Sequence, residues 1–314
     1  MIKLDLKDFK ILSLLDQNAR MPLNLIAKRT RLNKDVVRYR IQKLNDEKII
    51  LSYYTIIDTH KLGYFTIRIY FDCVGLSEEK EHKLLDYLDK EFKAGQVFKI
   101  DGEYQIGILT WESSIYELEK KIKELKKNFG DYLNNYEISI FTKYLQFFRK
   151  YLLEPKNIAI SLEESKPEKI DEIDFKILRE ISKNARITSI ELGEKLNIPQ
   201  RTAIYRIKNL EKKKIILGYR ININLSALKR ENYFLEIYVS SKENLQEIER
   251  FAQQHKDCIG VDYVLHGADI ELELEVEGKA GLLKFLSELK SKFKYIKKIR
   301  YWSTLDYLKI NYLP

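Results

Sequence analysis

The sequence is poor in cysteine, proline and glycine, and it has no long apolar run. Its 314 residues include two cysteines, five prolines and twelve glycines. Cys73 and Cys258 stand alone without a C-x-x-C spacing, which excludes a disulfide scaffold and a cysteine-rich zinc site. No stretch approaches about 18 uncharged apolar residues, so no membrane contact is expected. The start, MIKLDLKDFK, lacks the apolar run of a signal peptide, and we expect a folded cytoplasmic protein.

Histidines and catalytic motifs are scarce as well. The four histidines, His60, His82, His255 and His266, share no helical spacing and form no metal motif. The sequence has no glycine-rich phosphate loop, H-E-x-x-H or G-x-S-x-G stretch. We therefore expect no catalytic residue, no metal and no cofactor, and we predict that the chain is not an enzyme.

The sequence does contain an internal repeat. Residues 4–53 align with 170–219 without a gap, and 18 of those 50 positions are identical. The identities include DFKIL at 8–12 and 174–178 and N-A-R at 18–20 and 184–186. A duplication of this length predicts two units of similar design.

Within each half, the apolar period changes from helical to strand-like. From Asp8 to about Ile49, apolar residues recur at spacings of three and four, which predicts three short amphipathic helices. Beyond Ile49, the runs FTIRIYF at 65–71 and IELELEVE at 270–277 alternate, which predicts strands with one buried and one solvated face. Helical spacing returns at 78–93, 114–128, 243–254 and 279–292. The β-α-β-β-α-β order predicts a ferredoxin-like sandwich in each half, so the fold class is α+β.

These patterns divide the chain into five segments. We predict a winged helix-turn-helix domain at 1–60 and a ferredoxin-like domain at 61–153. Residues 154–168 are rich in charge and contain two prolines, which is typical of a linker. A second winged helix-turn-helix domain at 169–224 and a second ferredoxin-like domain at 225–314 complete the tandem repeat.

The net charge of +9 is concentrated in the two helical segments. Residues 1–60 hold 12 Lys and Arg against 7 Asp and Glu, and residues 169–224 hold 13 against 7. The ferredoxin-like segments are balanced, with 15 of each sign in 61–153 and 14 of each in 225–314. This concentration favours double-stranded DNA as the partner over a lysine-rich solvated surface. A membrane surface is disfavoured because these helices need their apolar stripes for their own core.

The helix-turn-helix pattern is clearest in the second unit. Asn197, Ile198 and Pro199 interrupt the apolar stripe, and asparagine tolerates the left-handed conformation of a tight turn. Gly193, which is small, permits close approach of the second helix. Polar residues outside the stripe of the last helix are the candidate DNA contacts, because arginine can bind guanine and glutamine adenine through paired hydrogen bonds. The candidates are Asn33, Lys34, Asp35, Arg38, Tyr39, Arg40, Gln42, Gln200, Arg201, Thr202, Tyr205, Arg206 and Lys208. A salt bridge within the domain is the alternative for Arg40 and Arg206, packing is the alternative for Tyr39 and Tyr205, and Asn33 can also cap its helix.

Together these motifs resemble the Lrp/AsnC family of transcription regulators. The resemblance rests on D-x-x-D-x-K-I-L at 5–12 and 171–178, both N-A-R motifs, R-I-x-x-L-x-x-x-x-I-I at 40–50 and 206–216, and I-I-D-T-H-K-L-G at 56–63. It implies a sequence-specific regulator of transcription in which the third helix of each unit enters the major groove. It also implies that the sandwich domains self-associate, as an intramolecular pseudo-dimer or a homodimer, and that they hold a small effector such as an amino acid. The corresponding loop residues are Gly102, Glu103, Tyr104, Gly267, Ala268 and Asp269, and tight turns are the structural alternative for the two glycines.

Two other functions share some of these features. A siroheme decarboxylase group of the haem pathway is similar to the same family, and an architectural protein would bind DNA without sequence preference. The decarboxylase chemistry would require His and Arg side chains that face a tetrapyrrole, for which the sequence has no motif. The third helices differ at equivalent positions, with Lys34, Asp35 and Arg38 in one and Gln200, Arg201 and Ile204 in the other. This difference predicts an asymmetric operator with unlike half-sites.

Overall fold

The first half of the chain consists of three helices followed by a β-α-β-β-α-β domain. A computed structural model describes residues 4–153, 159–162 and 165–314. The three helices are α1 (Leu6–Gln17), α2 (Leu23–Thr30) and α3 (Lys34–Asp46). They continue through β1 (Ile50–Ile57) into β2 (Phe65–Cys73), α4 (Glu78–Lys90), β3 (Gln96–Asp101), β4 (Ile106–Glu112), α5 (Ile115–Phe129) and β5 (Leu133–Phe147). The element order agrees with the one read from the sequence.

The second half repeats this order after one short strand. Strand β6 (Ala159–Leu162) lies in the segment predicted to be a linker, and it pairs with Tyr144–Phe147 at the end of β5. Residues 154–158 and 163–164 of that segment lie outside the described residues. The repeated elements are α6 (Glu172–Lys183), α7 (Ser189–Leu196), α8 (Gln200–Lys212), β7 (Ile216–Ile223), β8 (Glu231–Val239), α9 (Leu245–Gln254), β9 (Cys258–Val264), β10 (Ile270–Val276), α10 (Gly278–Lys292) and β11 (Ile296–Ile310). The α+β tandem fold is confirmed.

Local side chains set the ends of the helices. The carboxylate of Asp5 accepts hydrogen bonds from the first backbone N–H groups of α1, and Thr188 caps α7 in the same way. Helix α2 ends at Arg31 (φ 56°) and α7 ends at Asn197 (φ 51°), both in the left-handed conformation that a tight turn requires. A Cβ added to Gly193 would lie 2.8 Å from the Ile198 carbonyl oxygen, so the predicted close approach at this glycine is present.

The strands of the two halves form one closed sheet. In strand order, the halves are β3-β4-β2-β5 and β9-β10-β8-β11, each with two helices. The two long strands cross from one half to the other. Strand β5 pairs with β2 and then, from Phe141 onward, with β9, while β11 pairs with β8 and then, from Ser303 onward, with β3. The chain is therefore an intramolecular pseudo-dimer whose eight strands close into a barrel.

The two three-helix units also pack directly against each other. Strands β1 and β7 pair antiparallel, and a single apolar core contains buried residues from both units, such as Leu12, Val37, Leu178 and Ala203. None of the helices in the described ranges has the length and apolar character needed to cross a membrane.

The alternating strand β10 differs from its prediction. Its apolar residues pack under α9 and α10, as expected. Its glutamates, Glu271, Glu273 and Glu275, face the interior of the barrel, and Glu271 and Glu275 are each only 2% exposed. The prediction of a solvated face is wrong because the other half of the barrel covers it, which the local alternation of one strand cannot reveal.

Candidate nucleic-acid interface and interior cavity

The third helix of each unit, α3 or α8, buries one face and exposes the candidate DNA contacts. Val37, Ile41 and Leu44 of α3 are buried, as are the equivalent residues of α8. Tyr39 is 67% exposed and Tyr205 is 71% exposed, so neither side chain is taken up by packing. The other exposed candidates are Asn33, Lys34, Asp35, Arg38, Gln42, Gln200, Arg201 and Lys208, and Thr202 is half-buried.

The exposed cations on these helices are weakly engaged. Arg38 Nη1 lies 2.6 Å from Asp35 in a fully exposed pair, and such a pair contributes little to stability and can exchange for a phosphate. Lys34, Arg201 and Lys208 form no ion pair with the described residues. Helices α3 and α8, which the family resemblance implies are the recognition helices, thus present positive charge that is available to a polyanion.

Arg40 and Arg206 occupy equivalent positions and make equivalent ion pairs. Arg40 Nη1 lies 2.9 Å from Asp5 and 2.7 Å from Asp8, and Arg206 Nη1 lies 2.7 Å from Asp171. Backbone hydrogen bonding at the start of α1, together with Arg40, lowers the pKa of the Asp5 carboxyl, and Arg206 lowers the pKa of Asp171. The structure places both arginines in the salt-bridge alternative, where they hold the recognition helix against the first helix of its unit.

The starts of the recognition helices differ. Asn33 Oδ1 accepts a hydrogen bond from the Asp35 N–H at 2.8 Å and caps α3. Pro199 occupies the corresponding position before α8 and provides no side-chain cap. Gln42 and Gln200 donate hydrogen bonds within their own units, to Asp46 at 2.8 Å and to Ser189 at 3.1 Å.

The two N-A-R motifs contact each other across the two units. Arg20 Nη1 donates a hydrogen bond to the Ala185 carbonyl at 2.7 Å, and Arg186 Nη1 donates one to the Ala19 carbonyl, also at 2.7 Å. The sequence showed that the two motifs are identical, but it did not predict that their arginines would join the two units. We refer to Arg20, Arg186 and the two carbonyls as the reciprocal clamp.

The reciprocal clamp is connected to both recognition helices through tyrosines. Each clamp arginine lies 5.4 Å from the ring centroid of a tyrosine, Tyr219 or Tyr53. The Tyr53 hydroxyl donates a hydrogen bond to Asn45 of α3 at 2.8 Å, and the Tyr219 hydroxyl donates one to Glu211 of α8 at 2.7 Å. The spacing of α3 and α8 therefore depends on contacts that each unit makes with the other.

The two loops predicted to hold an effector meet around Arg300. Its Nε lies 3.0 Å from Glu103 and its Nη1 lies 3.0 Å from Glu137. Tyr104 is buried and hydrogen-bonds to both Arg300 and Glu137, and a Cβ added to Gly267 would lie 3.0 Å from Glu137 Oε1. The loops from the two halves thus converge on one group of interacting charges.

Parts of these loops have structural roles. A Cβ on Gly102 would lie 2.7 Å from Trp302 Cβ, and Gly267 has φ 95°. Ala268 is buried, and Asp269 Oδ2 accepts a hydrogen bond from the Val239 N–H at 2.9 Å. These contacts support the turn alternative for the two glycines.

A buried charge network joins the first helical unit to the second sandwich. Asp16 lies 2.8 Å from Arg220 Nη2 and 2.6 Å from Arg149 Nη1, and Arg149 Nε lies 2.9 Å from Glu275. Burial alone would raise the pKa of Asp16, but the two guanidinium groups hold that pKa below its usual value. All four side chains are buried, so each depends on the others for its solvation.

The equivalent place in the other half is aromatic. Ser182 and Tyr54 occupy the positions that correspond to Asp16 and Arg220. Tyr54 stacks on Tyr312 with ring centroids 4.1 Å apart and an interplanar angle of 9°.

An interior cavity of about 690 Å³ lies between the barrel and strands β1 and β7. Arg68, Arg149 and Arg230 line it, and each is matched by two carboxylates. The pairs are Arg68 with Asp262 and Glu271, Arg149 with Asp16 and Glu275, and Arg230 with Asp257 and Glu277. Four more carboxylates line the cavity without an ion pair to any described residue, namely Asp101, Glu231, Glu273 and Asp306. The interior cavity therefore has an excess of negative charge.

The winged helix-turn-helix DNA-binding family matches the chain twice, at residues 4–50 and 170–216. These ranges cover the two three-helix units and end at the first residue of the strand that follows each unit. The prediction of two winged helix-turn-helix units is confirmed by this match.

Curated relatives are regulators of transcription. The leucine-responsive regulatory protein of Rhizobium meliloti (strain 1021) is 44% identical over 59 residues, which is 19% of this chain and 38% of that relative. The leucine-responsive regulatory protein of Haemophilus influenzae is 36% identical over 67 residues, which is 21% of this chain and 40% of that relative. The chain therefore spans about two fifths of the length of each of these two relatives. The transcriptional regulator LrpA of Bacillus subtilis (strain 168) is 33% identical over 128 residues, which is 40% of this chain and 93% of that relative.

Among solved structures, the siroheme decarboxylase NirDL shares the fold of nearly the whole chain. The match covers 97% of this chain and 92% of that protein, with a TM-score of 0.65 and 13% sequence identity. The prediction that the chain is not an enzyme is contradicted by this match. That prediction treated the absence of familiar catalytic motifs as sufficient, whereas an enzyme has the same two-unit architecture.

Proposed function

The chain belongs to the Lrp/AsnC family of DNA-binding transcription regulators in a tandem form, and from that premise we propose that both of its helix-turn-helix units bind one operator. The observation that carries this proposal is that α3 and α8 both expose cationic and amide side chains while one apolar core holds the two units together. Helices of this kind read base edges in the major groove, and a joined pair reads two half-sites. The regulator would act in the cytoplasm as an intramolecular pseudo-dimer.

We propose further that the two half-sites differ in sequence. Arg201 stands where the first unit has Asp35, and Ile204 stands where it has Arg38. An arginine that binds guanine through two hydrogen bonds cannot be replaced by a carboxylate, which repels the phosphates and accepts from cytosine instead. The main contacts would come from Lys34, Arg38, Tyr39, Arg201, Thr202, Tyr205 and Lys208, with Arg40 and Arg206 acting as positioning residues.

The operator can be identified by genome-wide footprinting of the bound protein. Binding should then be compared between this operator and two symmetric versions, each of which carries one half-site twice. We expect the natural asymmetric operator to bind most tightly, at least about 10³-fold above random DNA. Equal affinity for both symmetric versions would contradict the unlike half-sites, and equal affinity for random DNA would support an architectural role instead.

Arg201→Ala tests the contribution of α8. We expect it to weaken operator binding by about 1–3 kcal/mol and to relax the sequence preference of one half-site alone. The control is Lys120→Ala, which removes an exposed cation from α5 of the sandwich, outside the proposed interface.

Modulation by a small effector is a further part of the proposal. The loops at 102–104 and 267–269 meet at Arg300, which pairs with Glu103, Glu137 and Glu236. An amino acid would exchange its carboxylate for one of these partners and place its ammonium group beside the released carboxylate. Thermal unfolding and operator affinity, measured with and without each amino acid, test this. If no amino acid changes either quantity in wild type, the effector is removed from the proposal.

Decarboxylation of siroheme is the second function that the architecture brings into consideration, because a siroheme decarboxylase shares the fold. The substrate of such an enzyme carries carboxylates. The arginines that line the interior cavity are already paired, and its charged side chains without an ion pair to a described residue are carboxylates, which repel such a substrate. Among the described lining residues, His60 is the one histidine, and its Nδ1 has no hydrogen-bond partner. We infer that a polycarboxylate tetrapyrrole does not fit the cavity.

Titration with an iron-uroporphyrin III analogue, followed by visible absorption, tests this inference. We expect no saturable spectral change. A saturable change, together with release of carbon dioxide from siroheme, would establish decarboxylation as the function of the cavity.

A further inference from the structure

The three inward glutamates of β10 have different partners. Glu271 lies 2.7 Å from Arg68, and Glu275 lies 2.9 Å from Arg149. Glu273, between them on the same face of the strand, makes no ion pair with a described residue. Two of the three neighbouring inward carboxylates thus contact a guanidinium group, which each shares with a second carboxylate, and the third contacts none.

Glu273 lies beside the interior cavity and lines it. Its Oε1 accepts a hydrogen bond from Asn232 Nδ2 at 3.0 Å, which a neutral amide provides without charge compensation. Its neighbour on β9 is Gly260, where an added Cβ would come within 3.4 Å of both Glu273 Cβ and Oε2. The side chain is inside the barrel yet keeps some exposed surface, because the cavity is adjacent to it. A carboxylate in this position requires a proton or a cation.

The opening of the cavity carries the same sign of charge. Asp101, Glu231 and Asp306 line it, and all three are exposed. None of them is in an ion pair with a described residue, and none of the described residues that line the cavity is a lysine. Such a surface attracts cations and repels anions on their way in.

The walls of the cavity are aromatic. Nine of the described residues that line it are aromatic, among them Phe98, Tyr144, Phe234 and Tyr307. Phe234 lies directly opposite Glu273 in the β8–β10 ladder. Aromatic faces attract ammonium groups and pack against aliphatic chains. A carboxylate within an aromatic enclosure is a combination that suits an organic cation.

We propose that the interior cavity binds an aliphatic amine cation, with one ammonium group at the Glu273 carboxylate. The volume of about 690 Å³ lies within the range of roughly 300–1,000 Å³ that is usual for small-molecule sites. A di- or polyamine matches the geometry best, since a second ammonium group can reach the acidic residues at the opening. This site is separate from the amino-acid site proposed around Arg300, and its ligand has no carboxylate.

Isothermal titration calorimetry on the full chain tests the site, with spermidine and putrescine as probes and citrate as the polycarboxylate control. We expect saturable binding of at least one amine with a stoichiometry of one, and none of citrate. Glu273→Gln, which keeps the shape of the side chain, should weaken amine binding by about tenfold or more. Asp306→Asn, at the exposed opening, should weaken it by about two- to threefold.

Glu124→Gln is the matched control, because Glu124 is an exposed glutamate on α5 that does not line the cavity. It should bind the amines as wild type does. The proposal is overturned if neither amine binds saturably at millimolar concentration, if Glu273→Gln binds as tightly as Glu124→Gln, or if citrate binds in their place. The measurement contains no DNA, so its failure is distinct from failure of the proposed operator binding.

Discussion

The two halves of the chain are nearly equivalent where the helical units meet and unlike inside the barrel. In the reciprocal clamp, Arg20 and Arg186 make hydrogen bonds of equal length to equivalent carbonyls and lie at equal distances from equivalent tyrosines. Inside the barrel, the equivalent strands carry opposite kinds of residue. Where β10 has Glu271, Glu273 and Glu275, the matching register positions of β4 are Gly107, Leu109 and Trp111.

This difference separates two requirements on the duplicated chain. Contacts that fix the relative position of the recognition helices use backbone carbonyls, which both copies supply whatever their side chains are. The interior depends on side chains, and there the second copy supplies the glutamates of β10, whereas the first supplies apolar residues on β4 and the arginines Arg68 and Arg149 that pair with two of those glutamates. The symmetric part therefore provides a frame for DNA, and the asymmetric part provides a cavity with a defined sign of charge.

The largest effect should come from breaking the charge network on one side only. We expect Asp16→Asn to reduce the free energy of unfolding by about 3–5 kcal/mol, because it leaves two buried guanidinium groups with less compensation. The equivalent substitution in the other half, Ser182→Ala, should cost less than about 1 kcal/mol, because Ser182 only donates a hydrogen bond to the Arg179 carbonyl. Urea unfolding of both variants measures the difference, and equal losses would show that the halves are equivalent at this position.

The reciprocal clamp should respond symmetrically. Arg20→Ala and Arg186→Ala should each weaken binding to the complete operator by about 10- to 100-fold and leave binding to an isolated half-site unchanged, because only the linkage between the two readers is lost. Arg179→Ala removes an exposed arginine of the same unit and is the control. Fluorescence anisotropy on full and half operators measures both affinities. Loss of half-site binding would assign the arginines to the DNA contact itself.

The interior of the second half should make stability depend on pH. Burial raises the pKa of Glu273 to about 7 from its ordinary value of 4.5. Between these values the folded chain binds more protons than the unfolded chain, so the free energy of unfolding falls as pH rises. Glu273→Gln removes the pH dependence that comes from this carboxyl group. We expect that dependence to amount to about 1–2 kcal/mol of unfolding free energy, after a discount for the partial exposure of the side chain.

Comparing wild type with Glu273→Gln isolates the titration of Glu273 from that of the charged and titratable groups around it. Asp262, Glu275 and Arg68 lie nearby, as do the hydroxyls of Tyr144 and Tyr307, and all are present in both proteins. The free energy of unfolding of wild type should therefore fall relative to that of the variant between pH 5 and pH 8. A difference that does not change with pH would mean that Glu273 is ionised throughout.

The smallest expected effect is a difference in the salt dependence of DNA binding between substitutions at equivalent positions of α3 and α8. Lys34→Ala should reduce the slope of log affinity against log salt concentration by about one, because one phosphate contact is lost. Gln200→Ala, at the equivalent position of α8, should leave that slope unchanged. Identical changes in the two variants would mean that Lys34 makes no phosphate contact.

Features within one copy could be predicted from the sequence, whereas features between copies could not. Apolar spacing predicted α3, α8 and the strand at 270–277, and the residue type of Asn197 predicted its left-handed conformation, because those signals are local. The solvated face assigned to β10 was wrong because its cover comes from the other half of the barrel. Strand β6 escaped detection because four residues in a charged segment show no period, and the end of β5 supplies their pairing.

The same limit applies to the site residues. Exposure of Lys34, Tyr39 and Arg201 follows from subtracting the apolar stripe of each helix. The clamp role of Arg20 and Arg186 could not be read in this way, because each donates to a carbonyl about 165 positions distant. An unexplained identity between repeats was the only sign of it.

The crossing of β5 and β11 has a consequence for how this chain can change over generations. In an assembly of two identical subunits, every substitution occurs twice and must suit both sides at once. Here the crossed strands hold the halves together covalently and by pairing, so a substitution occurs once. Position 16 can therefore carry an aspartate while position 182 carries a serine, and β10 can carry glutamates while β4 carries Leu109. Fusion thus released each position from its duplicate while the shared barrel kept both copies folded.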